Sequence, residues 1–255
     1  MKSVLPTPSD FDRLYVVLVS TRNPLNIGAA ARAMSNLGFS HLRVVNPYEA
    51  SFREARSAVG AAPLLARAQQ YSSVADAVAD CSLVIGTTAG ANRELHHPLR
   101  LLQDAGPLIR KRLNAGNRVA LLFGSEKRGL SNDDFSHCHW LMHIPTREEH
   151  TSMNLGQAVA VCLYEMARGA AKARNRTGSK AISKTEKLAA SAELERITTM
   201  LIEVLRASGY LGERAVAAKE EKIRRMVRRL ELSSADAEIW LGMLRQMLWK
   251  MGRNQ

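Results

Sequence analysis

From Leu14 to about Ala170, short apolar runs alternate with longer amphipathic stretches. The runs Tyr15–Val19, Leu42–Val45, Leu83–Thr87, Val119–Phe123 and Trp140–Ile144 are almost wholly apolar and partly β-branched. Such runs predict strands of a parallel sheet covered on both faces. Between them, Ile27–Leu37, Ser73–Ala79, Pro98–Leu113 and Asn154–Arg168 carry apolar residues at helical spacing. Gly38 is placed to stop the first helix, and Ser72 or Ser73 to cap the second. The alternation predicts an α/β sheet built from crossover units. Sheets of this kind bind ligands at the carboxyl ends of their strands.

The pattern changes after residue 167. Residues 168–184 hold six basic side chains and no acidic one, and they predict a basic linker. Beyond it, residues 186–208, 213–230 and 234–250 each show helical spacing. Gly209 would stop the first of these helices and Ser233 or Ser234 would cap the third. The expected division is therefore 1–167 as an α/β domain, 168–184 as linker and 185–255 as a small helical extension.

Composition sharpens this. The formal net charge is +12, and residues 168–255 hold 19 Lys/Arg against 10 Asp/Glu. An excess this uneven suits an anionic partner such as nucleic acid, or else a solvated basic surface. Lys222, Arg224, Arg225, Arg228 and Arg229 on the second tail helix are the candidate RNA-contacting cluster. The three cysteines are far apart and form no CxxC pair, which fits a reducing compartment. No signal-like apolar core opens the chain and no run reaches membrane-spanning length, so a cytoplasmic protein is expected.

Three polar turns follow strand-like runs and open toward helices. They contain Asn26 to Arg32, Phe123 to Leu130, and Thr151 to Leu155. Gly28 permits close backbone approach, and the paired Gly124 and Gly129 predict a tight turn. Arg32 could hold a phosphate in a planar fork or polarise a hydroxyl, or could be a surface residue. Glu126 could orient Arg32 or a ligand, and Ser152 and Asn154 could hold a ligand or cap a helix. No GxGxxG, GxxxxGK[ST] or GxSxG occurs, so dinucleotide, P-loop and serine-hydrolase sites lack their fingerprints. His137, Cys138, His139 and His143 sit close in sequence, yet packed or exposed histidines are the expectation and no metal is called for.

Taken together, Asn26-x-Gly28-x-x-x-Arg32, Phe123-Gly-x-Glu126-x-x-Gly129-Leu130 and Ser152-x-Asn154-Leu155 resemble the three motifs of the SpoU/TrmH class of SPOUT RNA methyltransferases. Their order, spacing and strand-loop-helix context match over about residues 14–170. The helical tail, with Gly209-Tyr210 and Lys222–Arg229, is similar to that of the TrmJ subgroup of tRNA 2′-O-ribose methyltransferases.

The resemblance implies a SPOUT-type parallel sheet with a C-terminal trefoil knot, and S-adenosylmethionine bound in the knot. It implies cofactor contacts from Thr87, Thr88 and Ala89, from Leu122 and Gly124, and from Ile144, Thr151, Ser152, Met153 and Leu155. It assigns Arg32 to activation of a ribose 2′-OH or to its neighbouring phosphate, with Ser152 orienting substrate or cofactor. Asn26, Glu126 and Asn154 would hold Arg32 in place. Arg93 stands near where relatives carry a further arginine. A homodimer is implied, with Arg32 near the subunit boundary. The implied substrate is the ribose of cytidine or uridine at nucleotide 32 of tRNA; ribosomal RNA, or a non-catalytic RNA-binding role, are the alternatives.

Overall fold

A computed structural model describes residues 11–48, 52, 60–89, 96–174, 187–211 and 216–252. Seven parallel strands form one sheet in the order β3-β2-β1-β6-β4-β7-β5. They are β1 (Leu14–Val19), β2 (His41–Val45), β3 (Gln69–Tyr71), β4 (Leu83–Thr88), β5 (Leu99–Leu101), β6 (Val119–Phe123) and β7 (Trp140–His143). All five expected strands are present. β3 and β5 are additional three-residue strands at the two edges.

The described helices before the tail are α1 (Pro24–Leu37), α2 (Ala62–Ala66), α3 (Val74–Ala77), α4 (Leu102–Asn114), α5 (Asn132–Ser136) and α6 (Leu155–Arg174). The expected helix over Pro98–Leu113 is thus split, its first residues pairing with β7 as β5. Helix α6 runs on through Arg174, so the basic linker expected from 168 starts inside a helix. Residues 175–186 and Arg93 lie outside the described residues.

The strand pleat explains the layering. On β1, Leu14, Val16 and Leu18 join one core with Ile27, Ala30 and Met34 of α1, Ile109 of α4 and Val159, Leu163 and Met166 of α6. Tyr15, Val17 and Val19 point the other way, into a second core with Val74, Ala77, Val84, Leu122 and Phe135. Helices α1 and α6 pack closely, because a Cβ on Gly156 would lie only 2.6 Å from the Ala29 Cβ. Helix α1 is capped by Asn23, whose Oδ1 accepts from the Leu25 amide at 2.9 Å, and Gly38 ends it at φ 83°.

The tail contains α7 (Ser191–Ala207), α8 (Val216–Arg229) and α9 (Ser234–Gly252) around its own core of Leu194, Ile197, Val227 and Leu241. Ser73 and Ser233 cap α3 and α9, as two of the offered alternatives required. The tail docks on the thinner second face of the sheet. Amides of Ser191 and Ala192, in the first turn of α7, donate to the carbonyls of Cys81 and Ala79 at 2.8 and 2.9 Å. Those are amides a helix start leaves free.

Candidate active site

The three polar turns converge at the carboxyl end of the sheet. Asn26, on the first turn of α1, donates from Nδ2 to Glu126 Oε1 at 3.1 Å. Its Oδ1 accepts from Asn154 Nδ2 at 2.7 Å. Residues 100 and 128 positions apart thus meet at one corner, in which Asn26 is buried while Glu126 and Asn154 keep exposed edges. Glu126 also accepts from the amides of Asn23 and Arg22, at 3.2 and 3.4 Å. Burial pushes the Glu126 carboxyl up, but its own backbone amide, Asn26, Asn23 and Arg22 outweigh that and hold it below its ordinary value. Asn154 caps α6 as well, its Oδ1 accepting from the Gly156 and Gln157 amides at 2.9 and 3.4 Å. The capping and ligand-corner alternatives for Asn154 are therefore compatible.

Both motif glycines of the second turn are explained by backbone. A Cβ on Gly124 would lie 2.0 Å from the Gly129 carbonyl carbon, and Gly129 itself sits at φ 66°. The chain thus folds back on itself, with the Gly129 amide donating to the Ser125 carbonyl at 2.8 Å.

This turn forms one side of a cavity of about 270 Å³. Thr87, Thr88, Ala89, Gly124, Ile144, Thr151, Ser152, Met153 and Leu155, among those named as cofactor contacts, line it. Leu122 does not. Its side chain is fully buried in the second core, and its carbonyl accepts from Thr87 Oγ1 at 2.8 Å, fixing that wall from behind. Phe123, Ser125 and Phe135 also line the cavity. Phe135 lies on α5, a five-residue helix too short for its apolar spacing to announce.

Arg32 is placed differently from expectation. It is exposed, lines no wall of this cavity, and none of Asn26, Glu126 or Asn154 bonds to it. Six residues along a helix turn through about 600°, so Arg32 points about 120° away from Asn26 around the helix axis. The polar corner locks the three loops to one another rather than gripping the arginine. Arg32 shares the outer face of α1 with Leu25, 79 % exposed; beside it, α6 presents Val161 and Tyr164, 36 % and 56 % exposed.

The tail cluster is a second correction. Arg228 is fully buried, Arg225 is buried, and Arg224 is largely enclosed; only Lys222 and Arg229 are exposed. Arg224 Nε and Arg228 Nη2 both donate to the Glu195 carboxylate at 3.0 Å. Arg224 Nη1 also donates to Ser136 Oγ on α5 at 3.0 Å. Arg224 thus joins the tail to the sheet unit, while Arg225 and Arg228 are enclosed and pair within the tail, with Glu221 and Glu195, so these three do not face RNA as placed. Among the described residues no three potential metal ligands cluster. His139 Nδ1 accepts from the Val84 amide and His143 Nδ1 meets the Thr88 carbonyl, each at 3.1 Å.

A parallel sheet with a loop-built cavity at its carboxyl end is the architecture of an RNA methylase. Residues 13–164 match the SpoU rRNA methylase family, and the chain belongs to it. A Pseudomonas aeruginosa protein named tRNA (cytidine/uridine/adenosine-2′-O-)-methyltransferase TrmJ is 34% identical over 91% of this chain and 93% of its own length. The Salmonella typhimurium tRNA (cytidine/uridine-2′-O-)-methyltransferase TrmJ is 34% identical over 91% of this chain and 94% of its own. The crystal structure of TrmJ from Z. mobilis superposes with a TM-score of 0.77 at 28% identity, covering 91% of this chain and 98% of that one.

Proposed function

We propose that this protein is an S-adenosylmethionine-dependent methyltransferase acting on the ribose 2′-OH of cytidine or uridine at nucleotide 32 of the tRNA anticodon loop. The observation that carries it is the convergence of Asn26, Glu126 and Asn154 beside a cavity lined by all three motif loops. The relatives named for tRNA 2′-O methylation span the tail as well as the sheet unit, whereas the family match ends at residue 164. That favours tRNA over the ribosomal RNA for which the family is named. The intact polar corner counts against a purely non-catalytic RNA-binding role.

The cavity suits the cofactor. Ile144, Met153, Leu155 and Phe135 offer apolar walls for an adenine ring, while Thr87, Thr88, Ser125 and Ser152 offer hydroxyls to the polar ends. When bound, the cofactor supplies a methyl group on a sulfonium. The chain must then align and activate the ribose oxygen. Ser152, exposed at the cavity mouth, is placed to orient the ribose. Arg32, with its forked donors, serves by stabilising the developing alkoxide or by fixing the adjacent phosphate.

Arg32 reaches a reaction site in a homodimer. The outer faces of α1 and α6, with Leu25, Val161 and Tyr164, supply an apolar patch around the arginine. Pairing two copies there sets Arg32 at the subunit boundary. We also read the end of the sheet unit as a trefoil knot. β7, the last strand, lies between β4 and β5 rather than at an edge, which favours threading. The cytoplasm is the compartment that fits a tRNA substrate and three free, buried cysteines.

Ribose-methylation mapping of tRNA and ribosomal RNA from cells with and without the gene tests the target. The 2′-O-methyl mark should vanish from tRNA nucleotide 32 alone; loss confined to ribosomal RNA would transfer the assignment there.

A further inference from the structure

A second cavity, of about 840 Å³, lies across the 125–129 turn from the first. Residues Ser125 to Gly129 line both, so a single turn is the partition between them. The opposite wall is the loop from β1 into α1, with Ser20, Arg22 and Asn23, and Ser131 and Asp134 contribute as well.

The charges here are unequally engaged. Glu126 accepts from Asn26 and from the two loop amides. Asp134 Oδ2 accepts from the Ser131 amide and hydroxyl at 2.7 and 2.8 Å. The Arg22 guanidinium and the Lys127 ammonium are exposed and form no ion pair with a described residue. Two cations without an ion-pair partner therefore face a polar cavity whose carboxylates are held in place by neutral donors. No aromatic side chain lines it, so it offers no stacking surface for a base. Its chemistry is that of a phosphate site.

We propose that this second cavity holds a backbone phosphate of the substrate RNA, next to the nucleotide whose ribose enters the first cavity. The proposal rests on the tRNA methyltransferase function above. Arg22 and Lys127 bind the phosphate; the 125–129 turn, pinned through Glu126, keeps phosphate and acceptor ribose on its two sides. Of the basic cluster on the tail helix, Arg224, Arg225 and Arg228 are committed to packing, which leaves Lys222 and Arg229 exposed there.

The test uses the full-length protein, unmodified tRNA and S-adenosylmethionine, with Arg22→Ala, Lys127→Ala and Lys127→Arg. Each alanine variant should weaken tRNA binding about tenfold, the loss of one charge-assisted contact. The slope of log affinity against log salt should become shallower by about 0.7–0.9 in each. Lys127→Arg should restore both, and Arg22→Ala should bind S-adenosylmethionine as the wild type does. Unchanged tRNA affinity and salt slope in both alanine variants, with wild-type methylation intact, would overturn the phosphate site alone. A wild-type protein that neither binds S-adenosylmethionine nor methylates tRNA would overturn the underlying function, and this site with it.

Discussion

Replacing Glu195 with alanine should be among the most damaging single changes outside the cavity. The carboxylate accepts from Arg224 Nε and from Arg228 Nη2, both at 3.0 Å. Arg228 is fully buried, and its Nε and Nη1 have no hydrogen-bond partner. Burial already disfavours its charged form, which Glu195 counteracts. Without that carboxylate a guanidinium is left desolvated with no counter-charge. Stranding one member of a buried pair costs about 3–5 kcal/mol. At roughly 2–4 °C per kcal/mol for chains of this size, Tm should fall by roughly 6–20 °C. Removing Arg228 as well should undo part of the damage, because an apolar side chain of similar volume fills its site without a desolvation cost, while Arg224 keeps Asp133 at 3.7 Å and Ser136 as partners. Thermal unfolding of Glu195→Ala, Arg228→Met and the double variant measures this. A Glu195→Ala protein melting within 2 °C of wild type, or a double variant worse than the sum of the singles, would refute the reasoning.

Gly124→Ala should weaken S-adenosylmethionine binding by about tenfold or more, since its methyl group lies 2.0 Å from the Gly129 carbonyl carbon and the turn must open; calorimetric titration reads it. Gly156→Val should destabilise the chain by about 1–3 kcal/mol by prising α6 from Ala29 on α1, seen as a lower denaturation midpoint. Acid should destabilise the fold below pH 6.5 but not above it. Burial first, then nearby arginines, lower His137 to about 4 and His139 to about 3. As pH falls below 6.5 the unfolded chain takes up protons that the folded chain refuses, so stability drops by up to about 1.4 kcal/mol per histidine per pH unit. Tm at pH 5.5 should be roughly 5–10 °C below that at pH 7.5, and equal values would contradict it.

Much of this architecture could be read along the chain because it is local. The inner strands announce themselves by being largely apolar, and β1 is so on both faces, as Val16 and Val17 show by entering opposite cores. β3 and β5 escape that test: Gln69 and Gln70 are polar, Leu99 to Leu101 are exposed, and each is three residues long at a sheet edge. The motif residues were identifiable by type and spacing, but not their pairing, since Asn26 meets Asn154 across 128 positions. The largest departure is the basic helix. Arg224 and Arg228 look like a solvated or RNA-facing stripe until Glu195, 29 and 33 positions earlier, is found between them. Arg22 lies outside the motifs, and its place in the loop after β1, at a strand's carboxyl end, is the signal that the sequence offers for it.

The most direct test is site-resolved ribose-methylation mapping of tRNA treated with S-adenosylmethionine and either wild-type protein or Arg32→Ala. Wild type should place one 2′-O-methyl group at nucleotide 32, and Arg32→Ala should retain its fold and cofactor affinity while losing about 10²-fold or more in rate. A wild-type protein that leaves every tRNA ribose unmethylated, or an Arg32→Ala protein that turns over normally, would contradict the account.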